Sequence, residues 1–176
     1  MNIRKATKDD LTQVEEIYND IISMQESGNA SIGWVRGVYP TYATAQGALE
    51  RGELFVGEYN GSIAAAAIIN QTQVPEYKNA SWECANAADS EVMVLHTLVV
   101  SPKLSGKGFG TQFVDFYENY AKENSCPHLR MDTNEINSSA RKLYKKLGYA
   151  EADIVPCNFN GIDGIHLVCL EKNLDI

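Results

Sequence analysis

The chain is poor in the residues that build metal centres and disulfide frameworks. It has 4 cysteines and 3 histidines in 176 residues. Cys84, Cys126, Cys157 and Cys169 show no C-x-x-C spacing, and the histidines do not cluster with them. That pattern argues against structural zinc and fits reduced thiols, so no metal site is expected. Long apolar runs are also missing, and nothing approaches the roughly 18 residues of a membrane-crossing helix, so no membrane partner is expected. The opening Met1-Asn2-Ile3-Arg4-Lys5 runs into Thr7-Lys8-Asp9-Asp10 without an apolar signal core. A cytoplasmic protein is the expectation. Positive charge is scarce: 15 Lys and Arg against 23 Asp and Glu leave a net charge of -8. Such a surface repels nucleic-acid phosphates and favours cationic small molecules such as amines. What remains, 44% hydrophobic and 22% charged, is an ordinary globular composition, and the length suits one domain over residues 1–176.

The most informative stretch present is 98–111, Leu-Val-Val-Ser-Pro-Lys-Leu-Ser-Gly-Lys-Gly-Phe-Gly-Thr. A β-branched run stops at Pro102, glycines recur at 106, 108 and 110, and an amphipathic helical pattern begins at once. A strand that feeds a glycine-rich turn into a helix start gathers unpaired N–H groups at the positive end of a helix dipole, where phosphate oxygens can be held. The segment is not a P-loop, because no Gly-Lys-Ser/Thr follows four residues after a glycine. Nor does it have the G-x-G-x-x-G spacing of the dinucleotide fingerprint.

Along the chain, Asn2–Lys5 reads as a first strand. Thr7 reads as an N-cap with Asp10 three residues on, before a helix that ends ahead of Gly28. Residues 28–40 read as a long loop and Tyr42–Arg51 as a second helix. Residues 53–59 and 62–70 flank Asn60-Gly61 and predict a β-hairpin. Residues 71–90 are polar and irregular, with Tyr77 and Trp82 isolated in them. Glu91–Val100 predicts a long strand and Gly108–Glu123 a helix with the stripe Phe109, Phe113, Phe116 and Tyr120. Leu129–Thr133, Asn137–Leu147, Tyr149–Val155 and Ile165–Leu170 predict strand, helix, strand and strand, with a turn at Asn160-Gly161. The order β-α-α-β-β-β-α-β-α-β-β predicts an α/β (α+β) domain: a mixed sheet, helices on both faces, and one right-handed parallel crossover through the Gly108–Glu123 helix.

Three local patterns in this order resemble the GCN5-related N-acetyltransferase (GNAT) superfamily. They are Ile3-Arg4-Lys5-Ala6-Thr7-x-x-Asp10, then Leu98-x-Val100-x-Pro102 followed by Gly106-Lys107-Gly108-Phe109-Gly110, and Asn137-x-x-Ala140-x-x-x-Tyr144-x-x-Leu147-Gly148-Tyr149. The resemblance implies a mostly antiparallel sheet of about seven strands. Its parallel core splays between Glu91–Val100 and Leu129–Thr133 to hold acetyl-CoA. It implies transfer of acetyl to a primary amine, a small molecule more than a protein, by direct attack in a ternary complex. The rival readings are a non-catalytic acyl-CoA-binding or regulatory module and a transferase of another acyl group.

By the same resemblance, the CoA pyrophosphate lies on the N–H groups of Ser105, Gly106, Lys107, Gly108, Phe109, Gly110 and Thr111. Lys107 is a cationic neighbour there. Ser105 stands where the family has Gln or Arg, a departure that bears on cofactor affinity. Pantetheine pairs with Leu98 and Val100 beside a bulge near Leu98–Val99, and the Val99 N–H polarises the thioester carbonyl. Asn137 caps its helix and also meets pantetheine, next to Ala140. Tyr144 shares a helical face with Ala140, Leu143 and Leu147, and reads either as a core tyrosine or as the general acid for the leaving thiolate.

An alkylammonium of pKa about 10.4 is almost wholly charged at pH 7, so the acceptor needs a base. His96 is the first candidate and Glu91 the second, with water as the third. Strand alternation puts Val94, His96 and Leu98 on one face and Glu91, Met93, Leu95 and Thr97 on the other. Acceptor contacts are expected from Trp34, Arg36, Tyr39, Tyr42, Tyr77 and Trp82, the aromatics suiting an ammonium or aryl group and Arg36 a carboxylate. The apolar Ile165–Leu170 run fits either an internal strand or a homodimer contact, so monomer and homodimer both stay open.

Overall fold

The computed structural model describes residues 1–175. Strands β1 (Asn2–Lys5), β2 (Leu54–Tyr59), β3 (Ser62–Asn70), β4 (Val92–Val100), β5 (His128–Asn134), β6 (Ala150–Phe159) and β7 (Ile162–Asn173) form one sheet. Helices α1 (Leu11–Glu26), α2 (Tyr42–Glu50), α3 (Phe109–Glu123) and α4 (Ser138–Lys146) interleave with them. The sheet order is β1-β2-β3-β4-β5-β7-β6, and only β4 and β5 run parallel. This is the mixed sheet that the element order predicts, mostly antiparallel and seven-stranded as the resemblance implies. Among the described residues, no helix is long and apolar enough to cross a membrane.

Local chemistry fixes the element ends. Thr7 and Asp10 form the reciprocal capping box at the turn leading into α1, and Asp10 also takes a two-pronged ion pair from Arg4. The Asn60-Gly61 and Asn160-Gly161 pairs both adopt the left-handed backbone that two-residue hairpin turns require. Strands β6 and β7 extend well past the expected 155 and 165. Pro156 is tolerated because β6 is the edge strand, where a missing N–H interrupts no ladder.

Helices α1 and α2 pack on one face of the sheet over Leu54, Val56, Ala66, Ile68 and Val99. Helices α3 and α4 pack on the other over Met93, Leu95, Leu129 and Met131. Each large side chain so buried contributes about 1.5–3 kcal/mol. The stripe of α3 is rotated from the expected one: Phe109, Phe113, Val114, Tyr117 and Ala121 are the buried set. Phe116 and Tyr120 lie on its flank, against Phe55. Tyr117 wins the inner place because its hydroxyl reaches the Met93 carbonyl at 2.6 Å.

Residues 71–91 are ordered and cover the remainder of the α1/α2 face. Tyr77 and Trp82, expected as acceptor contacts, are buried there in a T-shaped pair, with Trp82 Nε1 donating to the Tyr77 carbonyl at 2.8 Å. The strand expected from Glu91 begins at Val92 instead. Glu91 closes a short 3-10 turn and its carboxylate caps the Ala88 N–H at 3.0 Å, exposed and away from the sheet centre.

Candidate functional site

The sheet opens at its middle. Val92–Leu95 pair with His128–Met131, and the β4–β5 ladder stops there. Strand β5 continues against β7 as far as Asn134. Strand β4 is deflected by a bulge, because the β3–β4 register slips between Ala66 and Ile68. Thr97 sits in that bulge with φ +54°, a left-handed conformation in which a β-branched residue is strained. The bulge lies one residue earlier than expected, and it overturns the simple alternation. Leu98 and Val100 join Met93 and Leu95 on the α3/α4 side, whereas Val99 packs under α1 and α2.

The ladder also decides which backbone groups face the gap. Ser101 N–H donates to the Ala64 carbonyl at 2.8 Å. Alternation turns the Val99 N–H the same way, toward β3, and the Val100 N–H toward the gap. Val99, expected as the donor to a thioester carbonyl, therefore has that group committed to the sheet. Leu98 and Val100 stay beside the opening.

The turn after β4 leads into the start of α3. Gly106 and Gly108 are left-handed, and Gly108 is the residue that heads the helix. Among the described residues, none accepts a hydrogen bond from the N–H groups of residues 106–111. Ser105 N–H is bonded back to Pro102, so the open donors begin at Gly106. Phe109 is buried against Tyr59, anchoring the helix start, and the Lys107 ammonium lies over the Tyr59 ring at 5.6 Å. At Gly110 a Cβ would come within 3.1 Å of Leu143 on α4, so glycine lets the two helices approach. Thr111 follows in the first turn, half-buried.

Where the strands part, a cavity of about 260 Å³ passes between the two faces. From α4 come Asn137, Ala140 and Tyr144. Asn137 caps the helix, its side chain accepting from Ala140 N–H at 3.2 Å. Tyr144 is 6% exposed, and among the described residues its hydroxyl has no hydrogen-bond partner. Burial, with the Asp132 charge as a smaller cause, pushes this phenol well up, so it stays protonated at neutral pH.

His96 also lines the cavity. Its Nε2 is 3.0 Å from Asn70 Oδ1, and Asn70 Nδ2 donates in turn to Glu53 at 3.0 Å. That chain assigns the proton to Nε2 and leaves Nδ1 as acceptor. Burial lowers His96 to about 4, so the ring is neutral at pH 7 and is a weak proton acceptor.

One residue escaped the sequence reading. Asp132, on β5 just past the last pair with β4, lines the cavity. The Tyr77 hydroxyl donates to its Oδ2 at 2.8 Å, and burial pushes its pKa up to about 6. The available signal is an acid inside the strand Leu129–Thr133, which alternation puts on the same face as Arg130. The 71–91 segment covers that face.

The expected acceptor residues divide. Trp34 and Tyr39 line the cavity, and the Tyr39 hydroxyl is hydrogen-bonded to Thr97. Phe159, Asn160 and Ile162 of the β6–β7 turn line it too. Arg36 does not: its guanidinium is held by Glu26 at 2.8 Å and by Asn19 and Ser23 on α1. Tyr42 lies at the surface, away from the lining.

Comparison with known proteins agrees with this geometry. The model of the acetyltransferase (GNAT) family matches residues 14–149. The uncharacterized N-acetyltransferase YhfO of Bacillus subtilis is 26% identical over 154 residues, 86% of this chain and 91% of that protein. A GNAT-family acetyltransferase from Streptococcus agalactiae superposes with a TM-score of 0.81 at 22% identity, covering 99% of this chain and 96% of that one. The yncA protein of Salmonella typhimurium, solved with its cofactor acetyl-CoA, gives 0.69 at 20% identity over 100% and 95% of the two chains. At such identities the structural likeness establishes the fold.

Proposed function

The chain belongs to the acetyltransferase (GNAT) family and is an acetyltransferase, and from that premise we propose that it moves acetyl from acetyl-CoA to a primary amine of a small molecule, by direct attack while both substrates are bound. The observation that carries this reading is the run of unpaired N–H groups at residues 106–111 beside a strand gap that leads to the free hydroxyl of Tyr144. The glycine turn fits a diphosphate, because its donors have no other acceptor among the described residues and nothing lies within 4 Å of where a Cβ would stand at Gly106 or Gly108. When bound there, acetyl-CoA supplies the thioester that is cleaved.

The chain's own residues then have distinct tasks. The N–H groups of 106–111 hold the diphosphate, with Lys107 adding charge at the rim. Leu98 and Val100 flank the pantetheine arm, and the Val100 N–H is a donor aimed into the gap. Asn137 and Ala140 bound the arm from α4. Tyr144, protonated at neutral pH, gives its proton to the departing thiolate sulfur. His96, held by Asn70, keeps a neutral polar wall and does not serve as the proton sink.

An acceptor of small size is favoured by enclosure: the 28–40 loop and the β6–β7 turn both line the cavity. The test has two parts. Acetyl-CoA at a hundred times its Kd stabilises the protein by about 2.7 kcal/mol, read as a rise in Tm. Release of free thiol then depends on added amine across a panel. Stabilisation with no amine-dependent thiol release overturns catalysis and leaves a binding module. Faster release from propionyl- or succinyl-CoA overturns the acetyl preference.

A further inference from the structure

Among the described residues, Asp132 is the sole carboxylate lining the cavity. It is exposed there because β4 leaves β5 one residue earlier. Tyr77 donates to Oδ2, and no described residue donates to Oδ1. The groups facing it are Tyr77 and Glu76 from the 71–91 segment, Tyr39 from the 28–40 loop, Tyr144 from α4, Cys157 from β6 and Cys169 from β7. His96 of β4 shares the cavity and is neutral. None of these is a cation at pH 7.

The nearby cations are engaged elsewhere. Arg51, the only Lys or Arg among the described residues that line the cavity, is 57% exposed in its side chain and is paired with Glu53 at 2.8 Å. Arg130, two places earlier on β5, stacks on Trp82 at 4.3 Å and donates to Gln73 and to the Cys84 carbonyl. Its buried Nε is left without a partner among the described residues, and the residue does not line the cavity. A carboxylate thus lies at the strand gap without a counter-ion among the described residues, and the walls around it carry Trp34, Phe159, Ile162 and Ile165 beside uncharged polar groups such as Thr133, Asn134 and Asn160. A buried charge in such surroundings calls for a partner. A carboxylate on the acceptor would meet repulsion from Asp132 and find no unpaired Lys or Arg among the described residues that line the cavity.

We infer that Asp132 anchors the acceptor's ammonium and takes its proton, and that the acceptor class is a primary amine on an aryl or alkyl body without a carboxylate. This rests on the acetyl-transfer reading above. The ammonium gives one proton to Asp132 Oδ1. The neutral amine forms the N–C bond to the acetyl carbon as the C–S bond breaks, and Tyr144 protonates the sulfur. The second N–H proton, lost as the amide forms, restores the Tyr144 phenol, and Asp132 returns its proton to water. Tyr77 is a positioning residue, since its hydroxyl holds Oδ2 and favours the ionised carboxylate.

The probes are 2-phenylethylamine, hexylamine and phenylalanine, titrated calorimetrically into the protein saturated with CoA. Expected are binding of the first two, at least tenfold weaker binding of phenylalanine, and at least tenfold loss of the amines in Asp132→Asn. That variant's Tm rise with acetyl-CoA should match wild type, which shows it folded and its donor site intact. Tyr77→Phe should move the acidic limb of the kcat/KM profile to higher pH, a shift that loss of packing alone does not produce. Equal binding of phenylalanine, no binding of either carboxylate-free amine, or unchanged binding by Asp132→Asn overturns the inference. Amine binding that depends on Asp132 supports it even where acetyl-CoA fails to stabilise the protein, a failure that sinks only the donor reading.

Discussion

The hydroxyl of Tyr39, from the loop between α1 and α2, is hydrogen-bonded to the hydroxyl of Thr97 in the β4 bulge. The pair ties the loop over the cavity to the strand that opens it. Thr97 holds a left-handed backbone, which costs a β-branched residue about 1–3 kcal/mol. Replacing Thr97 by Ala removes the hydrogen bond and keeps the strain, whereas Gly removes both. The usual strand order is therefore expected to invert, with Thr97→Gly more stable than Thr97→Ala by about 1 kcal/mol. Urea unfolding of both variants checks this, and an Ala variant as stable as the Gly one would contradict the bulge.

Tyr144 has a free, protonated hydroxyl in the cavity. Tyr144→Phe keeps the ring and its packing against Tyr149. The expected loss is about 10²–10⁴ in kcat, the range for a general acid, with acetyl-CoA affinity changed less than threefold. An unchanged kcat at saturating acetyl-CoA removes Tyr144 from the acid role.

Much of this was legible in local sequence. The Asn60-Gly61 hairpin, the turn after Pro102 and the Asn137–Tyr149 pattern rest on interactions within a few residues, and each stands where expected. The bulge was misplaced because Leu95–Val100 is a run of residues suited to regular strand, except for His96, and nothing local marks Thr97 for a positive φ. Asp132 was missed, and Tyr77 and Trp82 were placed as acceptor contacts, for a different reason. Their burial depends on residues 71–91 folding across β4 and β5, a contact between segments about 55 places apart. Arg36 looked like a free cation because its partners on α1 lie 10 and more residues away.

The glycine turn makes a contrast that separates backbone from side chain. Gly108→Ala puts a Cβ on a left-handed residue at the head of α3, with nothing within 4 Å of it. The cost is about 1–2 kcal/mol of backbone strain. Relief of that strain re-aims the N–H groups, so acetyl-CoA Kd should rise at least tenfold. Ser105 is exposed and its N–H is already bonded to Pro102. Ser105→Ala should change Kd less than twofold. Calorimetric titration of both variants is the check, and a large effect at Ser105 with none at Gly108 would mean that side chains, not the backbone, do the holding.

Asp132 should make its presence known in stability as well as in turnover. Burial, above all, pushes its folded pKa up to about 6, above the ordinary carboxylate value of about 3.9. Below pH 4 the carboxyl is protonated in both states, and the buried acid costs little. Between about pH 4 and 6 the folded protein binds more protons than the unfolded chain, so stability falls as pH rises through this window. Above it, the folded state carries a buried charge without a counter-ion. Asp132→Asn is neutral throughout and still accepts from the Tyr77 hydroxyl. The variant should therefore match wild type near pH 4 and exceed it at pH 8 by about 1–2 kcal/mol, or about 2–6 °C in Tm. A carboxylate serving the fold would give the opposite sign, with the variant melting lower at pH 8. Saturating wild type with CoA and an amine that binds Asp132 should close the gap at pH 8, because the ammonium supplies the missing counter-ion.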